Sequence, residues 1–151
     1  MTNGKNKGNK WERDVANLFS EHYKNTYKIE NSFRRNPDSG SFVGGSNSKR
    51  VQTHTNLNFG DILTPDDFQY VIECKSYKEA PSFKSLLTSN KQLDSWFSQA
   101  SQDADLANKK PIVIVKYNRT PPVVWLNEKP DSYLIEYNGW YCNTLCNFLK
   151  D

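Results

Sequence analysis

Cysteine and long apolar runs are scarce in this chain, and each shortage excludes a class of protein. Its three cysteines, Cys74, Cys142 and Cys146, are too few and too irregularly spaced for a disulfide framework, and no cluster of Cys and His has zinc-ligand spacing. No apolar run approaches the ~18 residues of a transmembrane helix, and the N-terminus lacks the apolar core of a signal peptide. We therefore expect reduced thiols, no membrane partner and a cytoplasmic location, which is the host cytoplasm if the protein is viral.

Aromatic residues, in contrast, are plentiful. The 151 residues include 4 Trp, 8 Tyr and 8 Phe, which argues against a disordered chain although 25% of the residues are charged. A chain of this length buries enough of its surface to fold without disulfide or metal staples. It shows no internal repeat and no linker. We predict a single domain over residues 1–151.

Positive charge is concentrated at one end of the chain. The net charge is +3, but residues 1–50 contain ten Lys or Arg against five Asp or Glu, whereas residues 51–151 contain ten against twelve. This asymmetry favours a polyanion such as nucleic acid as the partner, and a merely solvated surface is the alternative. Residues 1–8 are polar, basic and rich in Gly, which predicts a flexible basic N-terminal arm.

The first periodic segment predicts an amphipathic helix over residues 9–23. Asn9 precedes the apolar face as an N-cap candidate, and Glu12 follows it by three residues. One interpretation of Glu12 is therefore a capping-box carboxylate. The other is that it points into a functional site. The apolar face itself consists of Trp11, Val15, Leu18 and Phe19.

A strand is predicted over residues 27–33, where polar and apolar residues alternate. The loop that follows is rich in Gly, Ser, Asn and Thr and extends to about residue 58; loops of this length in compact domains are usually functional or disordered. Its basic and hydroxyl groups suit the phosphates of a nucleic-acid backbone, and a merely flexible surface loop is the alternative. The predicted nucleic-acid contacts are Lys5, Lys7, Lys10, Arg34, Arg35, Ser39, Lys49 and Arg50.

Two short apolar segments that each contain an acid come next. Residues 59–63 contain Asp61, and residues 70–75 contain Glu73 and Lys75. The Thr-Pro-Asp-Asp sequence between them is typical of a turn, so the two segments are predicted to pair as a hairpin. Because side chains alternate along a strand, Glu73 and Lys75 share one face.

The rest of the chain predicts an α/β fold. Apolar residues hold a helical period over residues 89–108, and the continuous apolar run at 112–116 is typical of a strand buried on both faces. A strand, a helix and a buried strand in succession favour a crossover unit, with residues 112–116 parallel to residues 70–75. Further strands are predicted at residues 123–126, 133–137 and 140–142, the last two joined by an Asn-Gly turn, with a short helix at 145–149.

The acids and the lysine suit metal-assisted hydrolysis of a phosphodiester. Asp61 and Glu73 offer the hard oxygen ligands that Mg²⁺ prefers, and the carbonyl of Cys74 is a further candidate ligand. Lys75 is placed to orient a water or to stabilise charge in the transition state. The alternative is that Glu73 and Lys75 simply alternate on a solvent-facing strand, or form a structural ion pair with Asp61 in a module without catalysis.

Taken in their order, these motifs resemble the PD-(D/E)xK nuclease superfamily. With the segments that precede them, they are similar to the archaeal and phage Holliday junction resolvases of that superfamily. Gly60 stands where the superfamily name has Pro. The motifs that carry the resemblance are Lys7-Gly8, Trp11-Glu12-Arg13, Arg34-Arg35-Asn36-Pro37-Asp38-Ser39-Gly40, Gly60-Asp61 and Ile72-Glu73-Cys74-Lys75.

The resemblance implies a fold, a site and a partner. The fold is restriction-endonuclease-like, with a central mixed β-sheet flanked by helices. Glu12, Asp61 and Glu73 bind the metal directly or through water, Lys75 is the catalytic lysine, and Ser39 lies near the scissile phosphate. The implied cofactor is Mg²⁺, for which Mn²⁺ substitutes. The implied partner is branched DNA, bound by a two-fold homodimer.

Three hypotheses about function follow. The first is a Mg²⁺-dependent, structure-selective DNA endonuclease that resolves four-way junctions. The second is a nuclease of the same fold with another substrate, such as a restriction-type or repair nuclease. The third is a nucleic-acid-binding module without catalytic activity.

Overall fold

The computed structural model describes residues 3–37 and 59–150. Within these ranges no helix is long and apolar enough to cross a membrane. The helices are α1 (Asn3–His22), α2 (Lys24–Tyr27), α3 (Phe83–Leu87), α4 (Lys91–Ala107) and α5 (Leu145–Lys150). The strands are β1 (Arg34–Arg35), β2 (Ile62–Leu63), β3 (Tyr70–Tyr77), β4 (Lys110–Tyr117), β5 (Val123–Leu126), β6 (Ile135–Tyr137) and β7 (Trp140–Thr144).

The centre of the fold is a five-stranded mixed sheet in the order β3-β4-β5-β7-β6. β3 pairs with β4 in parallel, with Glu73 beside Val113, and the other neighbours are antiparallel. The predicted α/β fold with a mixed sheet flanked by helices is therefore confirmed. The predicted parallel pairing of β3 with β4 is confirmed as well. Two parallel neighbours need a crossover connection, and α4 lies in the one between them.

Helices α1 and α4 pack on opposite faces of this sheet. The α1 face buries Trp11, Val15 and Phe19 against Ile72, Cys74, Ile112, Ile114 and Val124. The α4 face buries Leu93, Trp96, Phe97 and Ala100 against Val113, Val115, Trp125 and Trp140. Since neighbouring side chains of a strand point to opposite faces, Cys74 faces α1, whereas Glu73 and Lys75 face α4.

The predicted elements after residue 80 are confirmed with small shifts of their bounds. Asn90 caps α4, its side chain accepting a hydrogen bond from the backbone N–H of Leu93 at 2.9 Å. The β6–β7 hairpin turns at Asn138 and Gly139, whose φ values of 51° and 83° fit the turn that Asn-Gly favours. The last helix, α5, was also expected.

Residues 1–8 were predicted to form a flexible arm. The structure corrects this prediction from Asn3 onward, because α1 begins there. Long-range contacts replace the predicted cap. Lys7 Nζ donates to Asn118 Oδ1 at 2.7 Å, which links the first turns of α1 to the turn after β4. Asn9 and Glu12 lie inside the helix, where both accept hydrogen bonds from Arg35. The capping-box interpretation of Glu12 is therefore wrong.

The strand predicted at residues 27–33 is also wrong. The chain there forms α2 and then a turn in which Lys28 and Asn31 adopt left-handed φ values of 56° and 55°. The alternation of polar and apolar residues has another cause: Tyr27 and Phe33 both point into an aromatic cluster, with their ring centroids 5.8 Å apart. Two inward-facing aromatics on either side of a turn produce the same pattern as one face of a strand.

The predicted hairpin between residues 59–63 and 70–75 is replaced by a different pairing. β2 pairs antiparallel with β1, so that Arg35 lies beside Ile62. The contact with β3 is made by Asp61, whose backbone N–H donates to the carbonyl of Ile72 at 2.9 Å. The segment therefore runs past the edge of β3 without forming a ladder with it.

Gly60 makes this close passage possible. Its φ is +83°, and a Cβ at this position would lie 2.7 Å from Val71 Cγ1 and 2.9 Å from the carbonyl oxygen of Ile72. Both the backbone conformation and the lack of space therefore require Gly.

We expect Gly60→Ala to lower the free energy of unfolding by more than Gly139→Ala does. Both glycines have φ +83°, where an L side chain costs ~1–2 kcal/mol, but a Cβ on Gly139 meets nothing within 4 Å. The difference between the two variants therefore isolates the collision with β3. Urea denaturation measures it, and equal losses would contradict the packing described for Gly60.

Candidate active site

Asp61 is held against the free edge of β3. Its backbone N–H donates to the Ile72 carbonyl at 2.9 Å, and its Oδ2 accepts from the backbone N–H of Cys74 at 2.7 Å. Among the described residues β3 is the last strand of the sheet, so these two backbone groups have no neighbouring strand there to pair with. Asp61 forms hydrogen bonds with both groups, as a neighbouring strand would. These two bonds fix its carboxylate beside Glu73.

Asn36 secures the other side of this turn. Its backbone N–H donates to the carbonyl of Asp61 at 2.9 Å, and its Nδ2 donates to the carbonyl of Gly60 at the same distance. Its side chain is buried, with an exposed fraction of 1%. Asn36 is a positioning residue that was not selected from the sequence, because its role depends on a long-range contact.

Glu73 lies at the centre of β3 with an exposed fraction of 1%. Its Oε1 has no hydrogen-bond partner among the described residues. Among the described residues, Asp61 and Asp103 lie within hydrogen-bonding reach of this side chain, and as carboxylates they are acceptors too. Glu73 can share only a proton or a cation with them.

Burial dominates the electrostatics of this cluster. It raises the pKa of Glu73 well above its usual value, and the charge of Asp61 and the proximity of Asp103 raise that pKa further. Burial also raises the pKa of Asp61, although the hydrogen bond from Cys74 and the neighbouring Glu73 and Lys75 act to lower it. The site therefore disfavours two ionised carboxylates unless a cation is present.

Lys75 lies on the same face of β3 as Glu73, as predicted. Its Nζ donates to Gln99 Oε1 at 3.2 Å and lies 5.9 Å from the centroid of the Trp96 ring. The positive charge of Lys75 acts to lower the pKa of Asp61. The structure therefore brings Asp61, Glu73 and Lys75 together, and α4 supplies the groups that orient the lysine.

Glu12 approaches from the other face of the sheet. Its Oε1 accepts from Arg35 Nε at 2.8 Å, and Arg35 also donates to Asn9 Oδ1 at 2.9 Å. Glu12 lies close enough to the buried Cys74 thiol to raise its pKa, which burial has already raised most. These contacts place Glu12 beside β3 on the α1 side, across the strand from Glu73.

The predicted nucleic-acid contacts divide into two groups. Those within the described residues are mostly on the surface: Lys5, Lys7, Lys10 and Arg34 are exposed, and Arg35 is partly buried by its pairing with Glu12. Lys10 also pairs with Asp14 at 2.9 Å. Ser39, Lys49 and Arg50 lie outside the described residues, so their assignment stays a prediction.

The metal assignment also stays a prediction. Within residues 3–37 and 59–150, no group of three or more His, Cys, Asp or Glu side chains is arranged to hold a metal ion. The donor chemistry nevertheless fits a hard divalent cation, because Glu73 Oε1 is buried without a donor and lies next to the carboxylate of Asp61. Asp61 and Glu73 would hold such a cation, with Glu12 and the carbonyl of Cys74 as the other predicted ligands.

Asp103 is the acid that the sequence analysis missed. It lies on α4 with an exposed fraction of 7%. A signal for it was present, because Asp103 follows Trp96 by seven residues and precedes Ala107 by four, which places it within the apolar stripe of the helix. An acid at such a position is unusual enough to mark a functional candidate.

We expect Glu73→Gln to make the metal-free protein more stable than the wild type at neutral pH. The folded-state pKa of Glu73 lies above its usual value of 4.5, so the protonated form is favoured by folding. The protonated carboxyl therefore adds to the stability of the wild type in full at pH values below its usual pKa, and this contribution is lost as the pH rises through the raised pKa. Gln cannot ionise, so the variant keeps this contribution at neutral pH.

Urea denaturation in EDTA between about pH 4 and pH 8 measures this effect. The advantage of Glu73→Gln over the wild type should grow with pH. Glu136→Gln, an exposed position on β6, is the matched control and should show no such trend. An advantage that is independent of pH would contradict the assigned environment of Glu73.

The comparison with known proteins found one protein family. Residues 3–141 match the model of one protein family, described as phage putative PDDEXK endonuclease. No curated protein and no solved structure matches the chain. The family match spans α1, the Gly60-Asp61 turn and β3, so it covers every described residue of the candidate site. The chain belongs to the phage PDDEXK endonuclease family, within the PD-(D/E)xK nuclease superfamily.

Proposed function

We propose that this protein is a DNA endonuclease that resolves four-way (Holliday) junctions by hydrolysing phosphodiester bonds, with Mg²⁺ as its cofactor and Mn²⁺ as a substitute. The observation that carries the nuclease assignment is the pairing of the buried Glu73 with the partly buried Asp61, with Lys75 on the same face of β3 as Glu73. The choice of junctions as substrate rests on the resemblance of the N-terminal segments to resolvases.

The residues of the site divide the chemistry between them. A bound divalent cation supplies a nucleophilic water at neutral pH and offsets charge on the scissile phosphate. Asp61 and Glu73 hold that cation, and relief of their mutual repulsion favours its binding. Lys75, steadied by Gln99, orients the attacking water or stabilises charge on the phosphate.

The burial of Glu73 matters for this division of roles. In a site shielded from water, charges interact more strongly than in solution. Asp61 and Glu73 are fixed by backbone contacts of β3 rather than by mobile loops, so little reorganisation is needed when a cation binds. The arrangement is suited to a tightly held hard cation.

DNA binding is assigned to the basic residues near the N-terminus. Lys5, Lys7 and Lys10 are exposed on α1, and Arg34 is exposed on β1, directly before the Arg35 that pairs with Glu12. Contacts with phosphates position a duplex without reading its sequence, as a structure-selective enzyme requires. Ser39, Lys49 and Arg50 complete the predicted surface.

The proposal includes a homodimer that acts in the host cytoplasm. A four-way junction is resolved by two symmetric nicks, which a two-fold pair of active sites provides. Leu134, directly before β6, and Ile135, its first residue, leave apolar surface exposed at the edge of the sheet opposite the active site. That edge is the candidate interface.

We expect cleavage of a synthetic four-way junction in Mg²⁺ to be lost in Asp61→Asn and in Glu73→Gln. The rate should fall by about a hundredfold or more, the loss that follows removal of a charge-stabilising group from an active site. Gel electrophoresis of end-labelled arms measures symmetric nicking. Gel-shift titration should show that both variants still bind the junction.

The outcomes separate the three hypotheses. Unchanged cleavage in either variant would refute the site, and Asp105→Asn, at an exposed position of α4, should cleave like the wild type. Faster cleavage of linear duplex than of junctions would favour a restriction-type or repair nuclease. Binding without cleavage in either Mg²⁺ or Mn²⁺ would favour a module without catalytic activity.

We also expect Arg34→Ala to weaken junction binding and to reduce its dependence on salt. Removal of one phosphate contact lowers the slope of log affinity against log salt concentration by about 1. Titrations at several salt concentrations measure the slope. Lys129→Ala removes an exposed charge from the loop before β6 and serves as the control; equal slopes in the two variants would contradict the assignment of Arg34.

A further inference from the structure

We propose that Asp103 is a third carboxylate of the active site, which helps to bind a divalent cation by accepting hydrogen bonds from its water shell. The inference rests on the proposed metal-dependent nuclease function and deepens it. It assigns to α4 a role in the metal site in addition to its contact with Lys75.

The packing of α4 on β3 places Asp103 opposite Glu73. Near the start of the helix, Trp96 contacts Tyr77, with ring centroids 5.1 Å apart, and Gln99 contacts Lys75. Near its end, Ala104 and Ala107 pack with Val71. The helix therefore runs antiparallel to the strand. Asp103 lies between Gln99 and Ala104, as Glu73 lies between Lys75 and Val71.

Packing does not explain an acid at this position. Asp103 is 7% exposed, and the other buried residues of α4 are apolar. No ion pair of Asp103 with Lys or Arg is found in the part of the chain that the structure describes. A buried carboxylate without a cation is costly, and Ala is accepted at three other buried positions of the same helix.

The neighbouring Glu73 provides an independent observation. Its Oε1 is buried without a partner among the described residues, although Asp61 and Asp103 are both within reach of the side chain. Three carboxylates meet here, and in their ionised forms they only accept hydrogen bonds, while the nearby Lys75 donates to Gln99. A hydrated cation supplies both the missing charge and the missing donors.

The geometry favours contact through water rather than direct coordination. The described side chains do not form a group of three direct ligands. Mg²⁺ keeps several of its waters and takes only one or two protein carboxylates directly. Asp61 and Glu73 fill those direct positions in the proposed site, which leaves Asp103 to orient the water shell as a positioning residue.

Titration of the full-length protein with Mn²⁺ by isothermal calorimetry tests the inference. We expect the Kd for Mn²⁺ to rise about 10- to 100-fold in Asp103→Asn, the usual loss for a partner of a metal's outer shell. Asp105→Asn is the matched control, because it removes the same charge from an exposed position of the same helix. Its Kd should equal that of the wild type.

Thermal unfolding distinguishes this role from a structural one. In EDTA, Asp103→Asn should raise the Tm because it relieves repulsion among three acids, and it should lose most of the rise in Tm that Mn²⁺ gives the wild type. Asp103→Ala is the second variant, in case Asn destabilises the fold, because Ala fits the Ala-rich stripe of α4. It should show the same rise in Tm in EDTA and the same loss of stabilisation by Mn²⁺. A lower Tm in EDTA together with an unchanged Kd would overturn the inference.

Asp61→Asn separates failure of this inference from failure of the proposed function. If Asp61→Asn loses Mn²⁺ binding while both Asp103 variants bind like the wild type, the cation site stands and the role of Asp103 is refuted. If Asp61→Asn itself binds Mn²⁺ like the wild type, the proposed metal site is wrong, and the role of Asp103 falls with it.

Discussion

The pairing of Asp61 with the free edge of β3 is the interaction on which the site depends. An edge strand exposes unpaired backbone groups, which proteins usually cover or blunt. Here the acid covers them itself, through one backbone and one side-chain hydrogen bond. The β1–β2 ribbon, the buried Asn36 and the compact turn at Gly60 all serve to hold that short segment in place. The carboxylate proposed to bind the metal thus also covers the edge of the sheet.

The sheet also separates the charged groups into two sets. On the α4 side, Glu73 and Lys75 meet Asp103 and Gln99; on the α1 side, Glu12 is paired with Arg35. The pairing of Glu12 compensates its charge within the protein, whereas the acids on the α4 side carry more negative charge than Lys75 offsets. Burial of uncompensated charge lowers stability, which is the usual trade between stability and function at an active site.

The elements predicted correctly from sequence are those whose periodicity is set by burial in the sheet. β3, α4 and β4 have apolar residues at the spacing of a strand or a helix, and the Asn-Gly turn has its own local chemistry. The predictions that were wrong concern segments whose structure depends on contacts with residues far away in the sequence. The helical start at Asn3 relies on contacts such as Lys7 with Asn118, and the turn after α2 on an aromatic cluster. Asp61, Glu73 and Lys75 were selected as candidates because acids in apolar strands are conspicuous; Asn36 was not, because polar residues in a loop are ordinary.

The positive φ of Gly60 has a consequence for how this family can vary. Proline, which gives the superfamily its name, fixes φ near −65°, on the opposite side of the Ramachandran plot from Gly60. The two residues are therefore alternative solutions for presenting the same acid, not interchangeable ones. A lineage that exchanges one for the other must rebuild the turn and its contact with β3 at the same time. Residue 60 and its neighbours are expected to change together or not at all.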